Sequence, residues 1–343
     1  MSRKILYIIL FSFILGRLHA QTGGDNIYEF LNLTHSGFIA SLGGTNVSIY
    51  NDNLNLTCDN PALLNRSMGN SLALNYVNYF ADINYGCALY SGSYSSAGNF
   101  SGGLIYLNYG SFTEADAAGT ITGSFRASEY ALLLSYSREI NSSVSAGIAF
   151  KPILSHLEKY TSLGFAFDIG ASYHNQSDLF SAGIVLRNAG LQLITYTGGN
   201  RQKLPFEILA GMSQKLPYAP LRFSLTLNHL EKYDMTSEYE DTDPGNNYFQ
   251  SSAFLENILR HVTVSAELIP HKNIYISAGY NYRRRKELQV ESKISTVGLS
   301  WGFGVNTTIL NLEFGRATYH LAGASTHISL TIKPDQLYSR FKK

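Results

Sequence analysis

The sequence predicts an all-β protein, a transmembrane antiparallel β-barrel of about 14 strands. Two observations lead to this prediction. Charged residues make up only 15% of the chain and aromatic residues 13%, with 30 Gly and 8 Pro, a composition typical of strands with one lipid-facing side. Apolar residues also alternate with small or polar residues over segments of about 9–11 residues, the length that a tilted strand needs to cross a bilayer.

The alternation is clearest over residues 163–173, where apolar or aromatic residues hold the odd positions and small or polar residues the even positions. The same period recurs over 221–228, 262–268, 297–303 and 310–315. Successive side chains point to opposite faces of a strand, so each segment has one apolar face. A soluble β-sandwich would also alternate. Segment length and the tyrosines near segment ends, which suit an interfacial girdle, favour the membrane.

Fourteen strands are predicted near residues 71–79, 83–91, 100–109, 128–137, 143–152, 162–173, 179–188, 206–215, 221–230, 261–268, 273–283, 294–304, 308–316 and 325–333. Residues 189–205 are treated as a loop. The odd-numbered connections are then mostly long and the even-numbered ones mostly short, as in outer-membrane barrels. The first pair of connections departs from this rule.

Charged residues within these predicted strands lie on the face that points away from lipid. They are Asp168, Arg187, Glu207, Arg222, Glu267 and Glu313. A charge on the lipid face would cost about 2–4 kcal/mol at the bilayer midplane. We therefore expect these six side chains to face the lumen, where they either pair with one another or line an ion path.

The chain divides into four parts. Residues 1–20 have a basic start, an apolar run of about eleven residues and a final Ala20, the pattern of a cleaved signal peptide. Residues 21–70 form an N-terminal plug or periplasmic segment, residues 71–333 the barrel, and residues 334–343 a basic tail. Export makes a disulfide between Cys58 and Cys87 permissible, but two unpaired buried thiols remain the alternative. The predicted location is the outer membrane.

Several motifs carry a resemblance to a known family. The chain has YEFLNL at 28–33, then Leu42-Gly43-Gly44, then Asn60-Pro61-Ala62, and later RNAG at 187–190. In this order they resemble the PorQ family of the type IX secretion system, FadL-like outer-membrane β-barrels of Bacteroidota. The resemblance implies that the N-terminal segment folds into the lumen as a plug.

The same resemblance implies a function. Barrels of that family are non-catalytic and anchor a PorZ-like surface protein in a complex with the PorU sortase and the PorV barrel. The complex attaches cargo to anionic lipopolysaccharide. The alternative is a FadL-type transporter of hydrophobic solutes. No HExxH, GxSxG or paired-Cys motif is present, so we expect neither an enzyme nor a cofactor. A net charge of +1 gives no reason to expect nucleic-acid binding.

Two segments are candidate contact sites. Arg283, Arg284, Arg285 and Lys286 follow a strand and enter an external loop. Guanidinium groups bind phosphate and carboxylate well, so this run is a hypothesis for contact with lipopolysaccharide or a partner, against a solvated barrel rim. The long loop 231–260 is the candidate docking loop, with Glu238, Glu240, Asp241, Tyr248 and Phe249. The alternative there is a mobile acidic loop.

Overall fold

The computed structural model describes residues 26–80, 83–94, 97–235, 250–288, 296–320 and 323–336. These residues build a closed barrel of 14 antiparallel strands, each paired with its neighbours in the chain, with the first strand paired to the last. The predicted fold class is confirmed. The strands are β1 Leu72–Asn78, β2 Asn84–Tyr94, β3 Gly98–Ala115, β4 Ile121–Glu139, β5 Val144–Leu157, β6 Tyr160–His174, β7 Phe180–Ile194, β8 Glu207–Lys215, β9 Leu221–Leu227, β10 Val262–His271, β11 Ile274–Asn281, β12 Leu299–Asn306, β13 Leu310–His320 and β14 Gly323–Ile332.

Side chains alternate between the two faces of the wall as predicted. In β12, Leu299, Trp301 and Phe303 are about half exposed, at 49%, 51% and 45%, on the outer face. The intervening Ser300 is 3% exposed and faces inward. Exposed apolar rows of this kind on a closed barrel are the lipid-facing surface. Val297, which continues the same sequence period, is instead fully buried because β12 begins two residues later.

The proposed tyrosine girdle is only partly formed by the predicted residues. Tyr76 and Tyr106 are exposed at 54% and 37%. Tyr79 and Tyr109, three residues further along, pack against the interior apolar cluster instead. The Tyr109 hydroxyl donates to Glu129 Oε2 at 2.6 Å. The prediction for these two residues was wrong: Tyr79 follows the end of β1, and Tyr109 lies at an irregularity in β3, where the register with β4 shifts between Asn108 and Ser111.

The two ends of the barrel differ in their connections. Short turns of two to five residues join the strands at one end, which we call the short-loop end. The opposite, long-loop end carries 195–206, 228–261 and 282–298. Two helices lie there, α2 Gln250–Arg260 and α3 Tyr282–Leu288, numbered after α1 of the N-terminal segment, Gly37–Ser41. The predicted loop 189–205 is shorter than expected, because β7 continues to Ile194 by pairing with β6.

The N-terminal segment, residues 26–70, runs inside the wall from the long-loop end to the short-loop end. Asn26 forms a bridge with Lys203, and the Asn70 amide donates to Ser91 O at 2.9 Å. Between them lie α1 and 3-10 helices at Glu29–Asn32, Leu54–Cys58, Pro61–Leu63 and Arg66–Met68. Among the described residues, no helix is long and apolar enough to cross a bilayer.

Glycines on the inner face let this segment approach both sides of the wall. A Cβ at Gly170 of β6 would lie 2.0 Å from Asn60 Oδ1, and one at Gly147 of β5 would lie 2.4 Å from Pro61 C. On the opposite wall, a Cβ at Gly315 of β13 would lie 2.2 Å from Gly37 O. Real Cβ atoms do not approach this closely, so any side chain at these positions would displace the segment.

Candidate functional site

A β-bulge in β7 sets up the main polar cluster inside the barrel. Arg187 and Asn188 together oppose Asp168 of β6, and the register shifts there. Asn188 has a φ of 57°, in the left-handed region. Because a bulge places an extra residue on one strand and re-aims its side chain, two consecutive residues are buried. Arg187 is 5% exposed and Asn188 is fully buried.

Arg187 joins the barrel to the N-terminal segment. Its Nη2 lies 2.5 Å from Glu207 Oε2 of β8, and its Nη1 lies 3.3 Å from Asp59 Oδ1. Asp59 also accepts the Asn46 amide at 2.9 Å. Burial raises the pKa of Asp59 to about 6, while the charge of Arg187 acts in the opposite direction. Glu207 has a second partner in His229, 3.4 Å away.

A second ion pair completes the cluster. Lys151 Nζ of β5 lies 2.5 Å from Asp168 Oδ2, and both side chains are at most 3% exposed. Lys151 also donates to Asn188 Oδ1 at 2.9 Å, and the Asn188 amide donates to Asp168 at 2.8 Å. Asn188 Nδ2 reaches Asn32 Oδ1 of the N-terminal segment at 2.7 Å. Sequence reasoning did not single out Lys151, although its position in β5 is inward-facing.

The six strand charges predicted to face the lumen do so. Glu267 of β10 is 2% exposed and pairs with Arg222 of β9 at 3.2 Å. Glu313 of β13 is 2% exposed and accepts from Asn53 at 2.6 Å. A cavity of about 220 Å³ at the short-loop end is lined by these groups together with Lys215. Five of the six side chains are in ion pairs, and Glu313 is bound by the amides of Asn53 and Asn55.

A larger cavity of about 850 Å³ lies at the long-loop end. It is bounded by the start of the N-terminal segment, the connection before β8, the connection before β10, and α3. Basic residues outnumber acidic ones on its lining. The Lys and Arg residues are Arg187, Lys203, Lys232, Arg260, Arg283, Arg284 and Lys286, and the Glu residues are Glu29, Glu207 and Glu287. The described lining of the cavity is therefore polar, with more basic than acidic side chains.

The predicted basic run forms most of α3 rather than a strand end and loop. Lys286 Nζ lies 3.1 Å from Glu256 Oε1 of α2, and Arg260 Nη2 lies 3.4 Å from the same oxygen. Burial tends to raise the pKa of Glu256, but Lys286 and Arg260 together outweigh it and hold the pKa below its ordinary value. Glu256 therefore fastens α2 to α3 at the mouth of the cavity.

The four basic residues have different surroundings. Arg283, Arg284 and Lys286 line the cavity, whereas Arg285 does not. Arg285 packs instead against Gly298, where an added Cβ would lie 2.9 Å from Arg285 Cβ. The run thus divides into three residues that face the cavity and one that packs at the base of β12.

The predicted docking residues Glu238, Glu240, Asp241, Tyr248 and Phe249 lie outside the described residues, as do residues 1–20 and most of the basic tail. In the described part of the same connection, α2 presents exposed apolar side chains. Phe254 is 60% exposed, Leu255 56% and Ile258 43%. Sequence reasoning did not identify this helix, although its apolar residues recur at helical spacing.

The two short motifs of the N-terminal segment, LGG and NPA, make structural contacts with the barrel wall. Leu42 is 1% exposed and packs in an apolar cluster with Phe38 and Tyr275. Gly43 and Gly44 have φ values of 98° and 97°, which favour glycine. An added Cβ at Gly43 would also lie 2.4 Å from Thr263 Cγ2 of β10. The LGG motif therefore turns the chain where it touches the wall.

The second motif docks on β5, β6 and β7. Asn60 is fully buried; its Oδ1 accepts the Ala62 amide at 3.0 Å and its Nδ2 donates to Val47 O at 2.9 Å. Pro61 begins the 3-10 helix that follows, a position where its missing N–H is not needed. Asn60-Pro61-Ala62 therefore holds the N-terminal segment against the inner-face glycines of the barrel wall.

Cys58 and Cys87 carry free thiols in this structure, and Cys58 packs against the apolar cluster that includes Cys87. Cys87 lies on the inner face of β2 and is 2% exposed. Cys58 ends the 3-10 helix Leu54–Cys58 and is partly buried. In the part of the chain that the structure describes, no group of three or more His, Cys, Asp or Glu is placed to hold a metal ion.

No protein-family model matches the chain, and no curated protein matches it either. Its fold is similar to those of several solved structures. The toluene transporter TbuX of Ralstonia pickettii has a TM-score of 0.51 at 12% identity, over 89% of this chain and 98% of that one. The monoaromatic hydrocarbon channel CymD has a TM-score of 0.52 at 12% identity, over 88% and 98% of the two chains. The toluene transporter TodX of Pseudomonas putida has a TM-score of 0.51 at 11% identity, over 90% and 98%. At such low identity these similarities establish the FadL-like barrel fold alone.

Proposed function

We propose that this chain is a non-catalytic outer-membrane barrel whose lumen is closed by the N-terminal segment and which anchors a surface protein. The observation that carries the proposal is the fastening of that segment by buried polar contacts to both walls. Arg187 binds Asp59 on one side, and Glu313 binds Asn53 on the other. Such contacts hold a permanent plug better than a gate, because opening would leave buried charges without partners.

The partner follows from the resemblance. The ordered motifs YEFLNL, LGG, NPA and RNAG support membership of the PorQ family. The partner would then be a PorZ-like surface protein, in a complex with the PorU sortase and the PorV barrel that attaches cargo to anionic lipopolysaccharide. The long-loop end supplies a surface for such a role, because α2, α3 and the basic cavity all lie there.

The second candidate is a FadL-type transporter of hydrophobic solutes, and the structural comparisons favour it over the secretion role. TbuX and TodX are toluene transporters and CymD is a monoaromatic hydrocarbon channel. The chemistry of the cavities weighs against this candidate. Hydrophobic ligands bind in sites lined mostly by apolar side chains, whereas charged and polar residues together make up most of the lining of the larger cavity.

Affinity capture tests the anchoring proposal. The full chain, tagged and extracted with its partners from outer membranes in detergent, is expected to retain a PorZ-like surface protein. Changing Arg283, Arg284, Arg285 and Lys286 to Gln is expected to reduce that recovery at least tenfold. A control variant changes Arg126, Lys159 and Arg201, three basic residues exposed at the same end, to Gln and should retain the partner.

The opposite results would reject the proposal. Equal recovery with both variants would show that the basic run does not contact the partner, and absence of the partner from the unaltered chain would contradict anchoring itself. Toluene uptake by cells carrying the chain would support the transporter. We expect uptake equal to that of cells without the chain.

A further inference from the structure

The interior of the barrel brings two cysteines together that are 29 positions apart in the chain. Cys58 belongs to the N-terminal segment and Cys87 to β2; the 3-10 helix that ends at Cys58 lies against β2, and Cys58 packs against the apolar cluster that contains Cys87. They are the two cysteines of the whole sequence, so a bond between them would link the segment to the wall at a single point. We propose that Cys58 and Cys87 form a disulfide that fastens the N-terminal segment covalently to β2.

The surroundings of the pair hold both residues in place. Asn75 of β1 pairs with Cys87 across the strands and donates to the Cys87 carbonyl at 3.3 Å. The same amide donates to Asn55 Oδ1 at 2.8 Å. Asn55 and Cys58 lie in one 3-10 helix, whose cap Asn53 is bound to Glu313 of β13, three strands from β2 around the barrel. The helix that carries Cys58 is therefore fixed at two points, Asn75 and Glu313, on the side of the barrel where Cys87 lies.

Formation of the bond is a thiol–disulfide exchange. The thiolate of one cysteine attacks the disulfide of an envelope dithiol–disulfide oxidant and forms a mixed disulfide. The second thiolate displaces the oxidant, which leaves as a dithiol with the two electrons. The two protons that the protein thiols give up are taken up by the two sulfurs of the oxidant. The step rests on the proposed outer-membrane location, because the cell envelope supplies such oxidants and the cytosol does not.

Trypsin offers a direct test, because the sequence has no Lys or Arg between positions 18 and 65. Arg66 follows, with 63% of its side chain exposed. The next basic residue is Arg126. Complete digestion therefore separates a peptide ending at Arg66, which contains Cys58, from the peptide 67–126, which contains Cys87. The bond would join these two peptides, and reduction would separate them.

The full chain is extracted from outer membranes in excess N-ethylmaleimide, denatured, and digested with and without reduction. The expected result is one linked peptide pair with no maleimide adduct, replaced on reduction by two separate peptides. Two maleimide adducts on an unlinked pair would overturn the proposal. The variants Cys58→Ser and Cys87→Ala are expected to take one maleimide each, which shows that the reagent reaches both thiols in denaturant.

A second experiment tests whether the two thiols are close enough to bond, independently of whether the cell envelope oxidises them. Reduced, folded chain in detergent is treated with diamide, a small thiol oxidant, and digested in the same way. A linked pair here together with free thiols in the cells would reject oxidation in the envelope and count against the proposed location. Failure to link here, with the barrel intact, would show that the two thiols are not held together and would overturn the inference.

Discussion

Replacing Arg187 with Met should release the N-terminal segment while leaving the barrel closed. Arg187 is 5% exposed and contacts Glu207 at 2.5 Å and Asp59 at 3.3 Å. Met fills the space of the Arg187 methylene stem and carries no charge. The substitution therefore removes the guanidinium group and leaves two buried carboxylates without their cation.

The size of the effect follows from what those carboxylates can do. Removing one partner of a buried ion pair costs about 3–5 kcal/mol. Asp59 can escape by binding a proton, since burial already raises its pKa to about 6. Glu207 keeps His229 at 3.4 Å as a second partner. Both routes reduce the cost. We therefore expect Arg187→Met to weaken docking of the N-terminal segment by about 3 kcal/mol at pH 7, which corresponds to a roughly hundredfold larger population of molecules with an undocked segment.

Chymotrypsin cleavage after Phe38 measures that population, because Phe38 is 2% exposed while the segment is docked. The rate of this cut, followed by peptide mass, is expected to rise about a hundredfold in Arg187→Met. The matched control is Arg222→Met. Arg222 also pairs with a buried glutamate, at 3.2 Å, but that partner belongs to the barrel wall. The control should lower the temperature of barrel unfolding and leave the cut after Phe38 unchanged.

Equal cleavage rates in the unaltered chain and Arg187→Met would refute the reasoning, because the ion pair would then not hold the segment. An equal increase in both variants would refute it as well. In that case the segment would leave only when the whole barrel opens, and the contact with Asp59 would have no separate role.

Three further predictions concern the same segment. Gly170→Ala places a Cβ about 2 Å from Asn60 Oδ1 and should destabilise docking by about 1–3 kcal/mol; Gly102→Ala, whose Cβ meets nothing closer than 3.8 Å, should be neutral in the same chymotrypsin assay. Because the folded state raises the pKa of Asp59 to about 6, this group stabilises the fold below about pH 4, and that contribution disappears as pH rises through about 6. Asp59→Asn should therefore reduce the dependence of the unfolding temperature on pH between pH 4 and 6. An unchanged dependence would exclude Asp59 as its source. Cys58→Ser removes the proposed cross-link, which closes a loop of roughly 30 residues, and should lower the free energy of unfolding by about 3.5 kcal/mol under oxidising conditions; the same loss in reductant would assign it to packing.

The barrel could be predicted because the bilayer leaves few alternatives. Lipid on one face requires an apolar residue at every second position, and this period is visible without any structure. The same constraint placed Glu267 and Glu313 on the inner face, where they are found. Most strand ends were within about four residues of those observed, but β7 continues to Ile194 by pairing with β6. The end of β3, the start of β4, the end of β5 and the start of β12 also differ by five to seven residues. Pairing of β3 with β4 shortens the long connection predicted at 110–127 to five residues.

Features that depend on contacts between distant residues could not be predicted in this way. The bulge that buries both Arg187 and Asn188 exists because of pairing with β6, which no local pattern encodes. The alternation in β5 could have placed Lys151, next to Pro152, on the inner face. Its partner Asp168, however, is identified only by the register between β5 and β6. The basic run has no apolar periodicity, so its helix was missed; α3 is held by Glu256 from another connection.

The distribution of polar groups explains why barrel and segment depend on each other. Lipid excludes charge from the outer face, so strand charges face inward, where an unpaired one is costly. The N-terminal segment supplies several of the missing partners: Asp59 for Arg187, and Asn53 for Glu313. If the segment left the lumen, Glu313 would lose the amide that binds it. A solute path through this barrel would therefore have to pass around a segment that stays in place, whereas an anchor requires no path at all.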